Sequence, residues 1–301
     1  MPTKDVYTLN DLADGILQQE DADKPARLAV IGWPVAHSAS PQLHQPALDA
    51  LDINCRYIRI EVPEGRVVEA FDLMREQRFI GCNATVPHKF AALAYCDEVD
   101  PAAQALGSVN TLRFDKDASR GFNTDGVGFA KAIEENFGSS LEGLKVVITG
   151  AAGGAGQALT SHCLRSGVRK LVLVNRSQGK LDMLVKHLNP DEQDAEIIPL
   201  SFDSPELAQH CLDSQLIVNT SSVGLKPDDP SILPAECLKP EHWVYDAIYE
   251  PAETPLLKLA KQEGAKTANG MSMLIHQGAF AFQHWFPDTE PLPHMQQALG
   301  N

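Results

Sequence analysis

Residues 147–159 read VITGAAGGAGQAL. Short apolar residues run into four glycines, Gly150, Gly153, Gly154 and Gly156, and then into small residues that suit a helix. That is the order strand, turn, helix. Glycines at such a turn let the backbone approach a pyrophosphate, which then rests on the helix N-terminus. The spacing departs from the usual G-x-G-x-x-G and reads G-x-x-G-G-x-G. The loop also lies near the middle of a 301-residue chain, so a complete unit of structure precedes it.

On both sides of the loop, apolar runs alternate with helical spacing. Residues 28–32, 56–62 and about 79–84 read as strands, with helices expected over 41–51 and 64–76. Residues 145–149, 170–174, 195–199 and 215–219 read as buried strands with helical stretches between them. The alternation predicts parallel sheets covered by helices, twice over, on either side of about residue 125. The stretch 254–264 carries Thr254 as N-cap, Pro255 in the first turn and Gly264 just past the end. A further apolar helix is expected over 270–286, and residues 1–26 read as an accessory helix plus linker. The fold class is thus α/β. An N-terminal α/β unit, residues 1–124, precedes a Rossmann-type doubly wound dinucleotide-binding unit, residues 125–269, with a cleft expected between them, and the family likeness set out below implies that the first binds substrate and is completed by residues 270–301.

Composition narrows the partners. Twenty-five Lys and Arg stand against forty Asp and Glu, a formal charge of −15. Nucleic acid and anionic membranes are therefore poor partners, and an anionic ligand needs a local basic pocket. Cys55, Cys82, Cys96, Cys163, Cys211 and Cys237 form no C-x-x-C pair and no zinc spacing, so free thiols in a reducing cytoplasm, and no metal, are expected. No signal peptide or membrane span is read from the chain.

After the second strand of the glycine-loop unit comes NRSQGK, residues 175–180. An acid here would bond an adenosine ribose hydroxyl and favour NAD. Asn175, Arg176, Ser177 and Lys180 stand there instead, and a guanidinium suits a 2′-phosphate, which favours NADP.

Four polar clusters lie outside the loop. GWPVAHSASP (32–41) places Ser38 and Ser40 two apart, so that both hydroxyls can grip one carboxylate, or one can cap a helix ahead of Pro41. NATVPHK (83–89) ends a strand and presents Thr85 and Lys89. GSVNT (107–111) and GFNTDGVG (121–128) each hold an Asn-Thr pair, including Asn110, and the second adds Asp125 at a helix start. YDAIYEPAETPLL and NGMSMLIHQGA supply Tyr249, Gly270 and Gln277. Taken singly, each reads as a cap, a surface charge or a core residue with a polar tip.

The segment from Thr149 to Gly156 resembles the loop of short-chain dehydrogenases, but no tyrosine in the chain is followed by lysine four positions later, so that likeness ends at the loop. The ordered set SASP, NATVPHK, VNT, NTDG, glycine loop, NRS, YEPAETPLL and NGMSMLIHQ resembles the shikimate dehydrogenase family over about residues 28–286. The resemblance implies that Ser38 and Ser40 hold the carboxylate of shikimate. Lys89 is implied as the catalytic lysine, with Asp125 as its partner. Thr85, Asn110, Tyr249 and Gln277 would complete the substrate site. Gly150, Ala151, Ala152, Gly153, Gly154 and Ala155 would form the phosphate loop, Asn175, Arg176, Ser177 and Lys180 would face NADP, and Gly270 would pass the nicotinamide. Two departures stand out. The family loop G-A-G-G-A is here G-A-A-G-G-A, with one extra residue near Ala151 or Ala152, and residues 1–26 have no counterpart.

The activity implied is NADP-dependent, reversible reduction of 3-dehydroshikimate to shikimate by a cytoplasmic enzyme of aromatic amino acid biosynthesis, monomeric or homodimeric. Removing a hydride and a proton from a secondary alcohol needs a proton acceptor within hydrogen-bond reach, and donors or positive charge for the developing oxyanion. Lys89 can serve in either way. A quinate/shikimate dehydrogenase using NAD or NADP, a non-catalytic binder of shikimate-like metabolites, and a folate-linked methylene dehydrogenase are the alternatives. The last fits the Ser-x-Ser and NTDG segments poorly.

Overall fold

A computed structural model describes residues 4–19, 23–190 and 193–299. The apolar runs become the middle strands of two sheets, one in each of two compact units, residues 1–124 with 275–301 and residues 125–274.

In the first unit the strands are β1 (Tyr7–Thr8), β2 (Ala26–Gly32), β3 (Arg56–Glu61), β4 (Gly81–Ala84), β5 (Glu98–Val99), β6 (Thr111–Phe114) and β7 (Ser119–Phe122). They lie in the order β1-β3-β2-β4-β6-β7-β5. β2 pairs in parallel with β3 on one side and β4 on the other, across the helices Ser40–Ala50 and Val67–Glu76. The chain thus reverses its winding beside β2, and the loops leaving β2 and β4 share the end of the sheet where ligands of open α/β sheets bind. This sheet is mixed rather than parallel throughout, because β6 pairs antiparallel with both β4 and β7. The connection from Phe114 to Ser119 is closed by the Asp115 N–H bonding the Ala118 carbonyl at 2.9 Å, and so short a link joins only antiparallel neighbours.

The N-terminal segment is more than an accessory helix and linker. Residues 1–3 and 20–22 of it lie outside the described residues. The rest adds β1 to the sheet edge beside β3. Thr8 and Asp11 then close a capping box on the helix Leu9–Ala13, with Asp11 N–H to Thr8 Oγ1 at 3.2 Å and Thr8 N–H to Asp11 Oδ2 at 2.8 Å. Tyr7 and Leu12 are fully buried in the same core as Ile31, Ile60 and Phe71, so the segment covers an edge that would otherwise be open.

The second unit holds β8 (Lys145–Thr149), β9 (Lys170–Val174), β10 (Glu196–Leu200), β11 (Leu216–Asn219), β12 (Trp243–Asp246) and β13 (Lys266–Asn269). All pair in parallel, in the order β10-β9-β8-β11-β12-β13. This is the doubly wound order of a dinucleotide-binding fold, with the switch between β8 and β11. β9 and β11 are buried along their whole length, which is why they read as unbroken apolar runs. The helix Pro255–Gln262 starts as its sequence predicts, the Leu257 N–H donating to Thr254 Oγ1 at 3.3 Å. No described helix is long and apolar enough to cross a membrane.

Candidate active site

The chain leaving β2 turns at Trp33–Ala39 into the helix Ser40–Ala50. Ser38 and Ser40 face one another there, the Ser38 hydroxyl donating to Ser40 Oγ at 3.1 Å. The N-cap is Ala39, whose side chain makes no cap, and the N–H of Ser40, the first helical residue, donates to Ser38 Oγ at 3.3 Å. Arg59 on β3 holds the turn, its Nε and Nη2 both donating to the Ser38 carbonyl at 2.9 and 2.7 Å.

From Ser40 a buried chain of hydrogen bonds crosses the end of the sheet. Ser40 faces the Tyr57 phenol, whose hydroxyl donates to Asn83 Oδ1 at 2.6 Å. Asn83 Nδ2 donates to the Asn110 carbonyl at 3.2 Å and to Thr111 Oγ1 at 3.0 Å, and Thr111 donates to Asn110 Oδ1 at 2.9 Å. Asn110 and Thr124 bond reciprocally, Asn110 Nδ2 to Thr124 Oγ1 at 3.0 Å and Thr124 N–H to Asn110 Oδ1 at 2.9 Å. Thr124 reaches Gln277 Oε1 at 3.5 Å. Ser38, Ser40, Asn110 and Gln277, expected from separate motifs, are thereby brought onto one network. Its connecting members, Tyr57, Asn83, Thr111 and Thr124, were not singled out from the sequence. Strand alternation does not mark the first of them, because Tyr57 shares its face of β3 with Arg59 and Glu61, opposite Ile58 and Ile60. A buried network with its members paired holds each amide in one orientation. Burial pushes the Tyr57 phenol well above its ordinary range, so it stays a donor.

Beneath Tyr57 lies His44, stacked on it at 4.4 Å between ring centroids and fully buried, with no hydrogen-bond partner at either ring nitrogen among the described residues. Burial pushes its pKa down to about 3, so the ring is a neutral packing element.

Thr85 and Lys89 follow β4. The His88 N–H bonds the Thr85 carbonyl at 2.8 Å, His88 Nε2 donates to the Val62 carbonyl at 2.8 Å, and the Val109 N–H bonds the Lys89 carbonyl at 3.0 Å. Three anchors thus fix a short turn, and the half-buried Lys89 begins the helix Lys89–Tyr95.

The remaining expected residues belong to the second unit. Asp125 is buried and is the first residue of the helix Asp125–Phe137. Tyr249 is half-buried in the segment after β12. That segment is tied down by Asp246, a fully buried carboxylate that the sequence reading passed over. It accepts from Asn219 Nδ2 at 3.0 Å, the Ile248 N–H at 3.1 Å and Thr254 Oγ1 at 2.6 Å. Burial, the largest influence, raises its pKa against these three bonds. Gly270 passes so close to the Ala247 carbonyl that a Cβ would lie 2.1 Å from its oxygen, so no other residue fits there without moving the backbone.

The glycine loop leaves β8 at the switch between β8 and β11. Gly150 takes φ +75° and the Gly153 N–H closes a tight turn on the Gly150 carbonyl at 2.9 Å. Ala151 and Ala152 are buried inside that turn, and β8 keeps its register with β9 and β11. The helix Gly154–Arg165 follows with Gly153 as N-cap and no side-chain cap, so its first-turn amides point outward uncapped. The glycines divide by role. A Cβ at Gly156 would lie 2.4 Å from the Gly150 oxygen, whereas one at Gly154 would meet nothing within 4 Å. The first is demanded by the fold, and the second leaves the open space that a phosphate needs at a helix N-terminus. Beyond β9, Arg176, Ser177 and Lys180 are exposed, Asn175 Nδ2 bonds the Ser177 carbonyl at 3.1 Å, and Arg176 meets no carboxylate among the described residues. An uncapped helix start, open space beside it and an unpaired guanidinium at the second strand fit a dinucleotide with a 2′-phosphate. Among the described residues no group of three or more His, Cys, Asp or Glu could hold a metal ion, and all six cysteines are free thiols.

Residues 30–112 match the family model of the shikimate dehydrogenase substrate binding domain. The NADP(+) shikimate dehydrogenase of Symbiobacterium thermophilum is 37% identical over 278 residues, covering 90% of this chain and 92% of that protein. The solved structure of shikimate 5-dehydrogenase from Listeria monocytogenes, in complex with shikimate and NAD, superposes with a TM-score of 0.84 at 31% identity and covers 91% of this chain and 96% of that one. That of Thermus thermophilus, in complex with NADP(H) and shikimate, superposes with a TM-score of 0.79 at 34% identity and covers 91% and 98%.

Proposed function

The chain belongs to the shikimate dehydrogenase family, and from that premise we infer its reaction, the NADP-dependent, reversible reduction of 3-dehydroshikimate to shikimate. The observation that carries the reading is the hydrogen-bond network from Ser38 and Ser40 to Gln277. An apolar pocket would suit neither a carboxylate nor a ring bearing several hydroxyls, whereas a fixed array of hydroxyls and carboxamides pairs with both.

In this reading Ser38 and Ser40 take the substrate carboxylate, while Thr85, Asn110, Tyr249 and Gln277 take ring hydroxyls. In the oxidising direction Lys89 Nζ receives the proton of the reacting hydroxyl, and in the reducing direction it returns that proton to the carbonyl oxygen. Asp125 orients the Lys89 ammonium. The loop from Gly150 to Ala155 holds the pyrophosphate on backbone amides, and Asn175, Arg176, Ser177 and Lys180 take the 2′-phosphate. Gly270 leaves room beside the nicotinamide. When bound, NADP supplies the hydride acceptor and NADPH the donor. The chain's own groups at the site serve binding, alignment and the proton. Residues 1–124 with the C-terminal helices bind substrate, and residues 125–269 bind cofactor. The chain works in the cytoplasm, in aromatic amino acid biosynthesis, as a monomer or homodimer. Six free thiols and an anionic surface support the compartment.

The test follows reduced-cofactor absorbance with shikimate and with quinate, each with NADP and with NAD. Shikimate with NADP should give the highest kcat/KM. A preference for quinate, or for NAD, overturns the substrate or the cofactor assignment separately, and silence in all four mixtures favours a non-catalytic binder.

A further inference from the structure

The first unit carries a second cavity, of about 510 Å³, at the other end of its sheet. Ile80, just before β4, and Phe114, the last residue of β6, line it, so it opens at the end opposite the turn that bears Thr85 and Lys89. β4 and β6 are antiparallel, with Gly81 opposite Arg113, which places these two strand termini side by side. The volume falls in the range of small-molecule sites.

Its lining joins cations to aromatic rings. Arg75, Arg78, Arg113 and Lys116 stand around it with one carboxylate, Asp115, and Phe79, Phe114 and Trp285 form the apolar wall. Two of the cations are committed to protein groups. Arg113 Nη2 donates to Asp115 Oδ2 at 3.1 Å and Nη1 to the His284 carbonyl at 3.0 Å, while Arg75 pairs with Tyr95 and feels Asp97 and Asp72. Arg78 and Lys116 are exposed and meet no carboxylate among the described residues. In a chain of net charge −15, four cations against the single carboxylate of Asp115, itself paired with Arg113 and Arg120, make a local anion trap beside an aromatic wall.

The backbone at Arg78 is an independent observation. It has φ +62°, directly after the helix Val67–Glu76, with its N–H bonding the Arg75 carbonyl at 3.0 Å and the Phe79 N–H bonding the Met74 carbonyl at 2.9 Å. Glycine or asparagine is the usual residue at such a helix end, and a left-handed arginine is held there against a backbone preference. The other non-glycine residues with positive φ among those described are Asp52 and Asn189, types that adopt it readily. The fold thus keeps a guanidinium at the cavity mouth where glycine would be easiest, and strain held in this way points to a binding role.

We propose that this cavity is a second ligand site, separate from the Ser38–Gln277 network, for a small aromatic carboxylate. The carboxylate pairs with Arg78 and Lys116, and the ring lies against Phe114 and the edge of Trp285. A flat ring matches the wall, and a single carboxylate matches the charge left once Arg75 and Arg113 are paired.

The probe is 4-hydroxybenzoate, titrated calorimetrically into the full chain with and without saturating shikimate, and followed in parallel by saturation-transfer NMR. Arg78→Gly keeps the left-handed turn and removes the cation, and Lys116→Ala alters an exposed turn, so both variants should fold as the parent does. Binding that persists under shikimate and weakens about ten-fold or more in each variant supports the site. Displacement by shikimate, equal affinity in parent and variants, or no binding at all overturns it. Inorganic phosphate binding as tightly as 4-hydroxybenzoate overturns the ligand class, because charge alone would then explain the site. Binding at this site does not depend on the activity, so failure here and failure of the shikimate assay are separate outcomes.

Discussion

In the function proposed above, the two units recognise small molecules by different means. In the first, recognition rests on side chains gathered from distant parts of the chain and fixed by mutual hydrogen bonds, Tyr57 to Asn83 to Asn110 to Thr124. In the second it rests on backbone, a tight Gly150–Gly153 turn and an uncapped helix start, with a single unpaired guanidinium at Arg176 as the selective element. A site made of side chains can be retuned by substituting one of them, whereas a site made of backbone breaks when a Cβ is added.

The largest effect expected concerns the proton. Lys89→Ala should cut kcat by about 10²- to 10⁴-fold while leaving shikimate binding within a few fold, because a positioned acid–base group acts in the transition state. Steady-state turnover near that of the parent would remove Lys89 from the mechanism.

Gly156→Ala sharpens the contrast from the backbone side. Its Cβ would lie 2.4 Å from the Gly150 oxygen and 2.6 Å from that of Ala151, and neither is a flexible side chain that can yield. An overpacking cost of about 1–3 kcal/mol should appear in cofactor affinity and in the melting of the second unit, with shikimate affinity unchanged. If Gly156→Ala binds NADP as the parent does, the tight turn is not what shapes the cofactor site.

Tyr57→Phe is the matching change in the first unit. It keeps the stack on His44 and strands the buried Asn83 carbonyl oxygen, at a cost of about 1–2 kcal/mol in stability, with a raised KM for shikimate and little change in kcat. A change in kcat alone would contradict a positioning role.

Much of the fold was legible because buried parallel strands are written as unbroken apolar runs, as in KLVLV at 170–174 and VVIT at 146–149. The hairpin of β6 and β7 was not, since TLRF and SRGF each mix charge with apolar residues and lie half at the surface. β1 escaped notice because two residues carry no period, and only the burial of Tyr7 shows them to be part of the sheet. At the candidate site, local motifs located Ser38, Lys89, Asn110 and Gln277. The links between them join residues such as Tyr57 and Asn83 that are 26 positions apart, and no local pattern specifies such a pairing. The charge of Asp246 is hidden for the same reason, since its three partners come from a neighbouring strand and the following turn.

Near neutral pH the effect expected of His44 is small, and it grows only on the acid side. His44 has its pKa pushed by burial from 6.5 to about 3 in the folded chain. Between those values the unfolded chain carries a proton that the folded chain refuses, so stability is full above about 6.5 and falls as pH drops, by up to about 1.4 kcal/mol per pH unit. His162, pushed by burial to about 4, adds the same sign in the second unit. His44→Leu should flatten the acid limb of urea-unfolding stability by close to one proton and leave the value near pH 8 little changed. An unaltered slope would show that His44 does not titrate as its burial requires.

The division of labour between the two units is tested most directly by crossing two variants with two ligands. Ser40→Ala and Arg176→Ala are titrated calorimetrically with shikimate and with NADP, NAD serving as the control for the phosphate. A crossed pattern is expected. Ser40→Ala should weaken shikimate by the about 1.5–3 kcal/mol of a hydrogen bond to a charged group and spare NADP, and Arg176→Ala should weaken NADP by a similar amount, about 10- to 150-fold, and spare both shikimate and NAD. An Arg176→Ala variant that weakens NAD as much as NADP, or a Ser40→Ala variant with unchanged shikimate affinity, would contradict it.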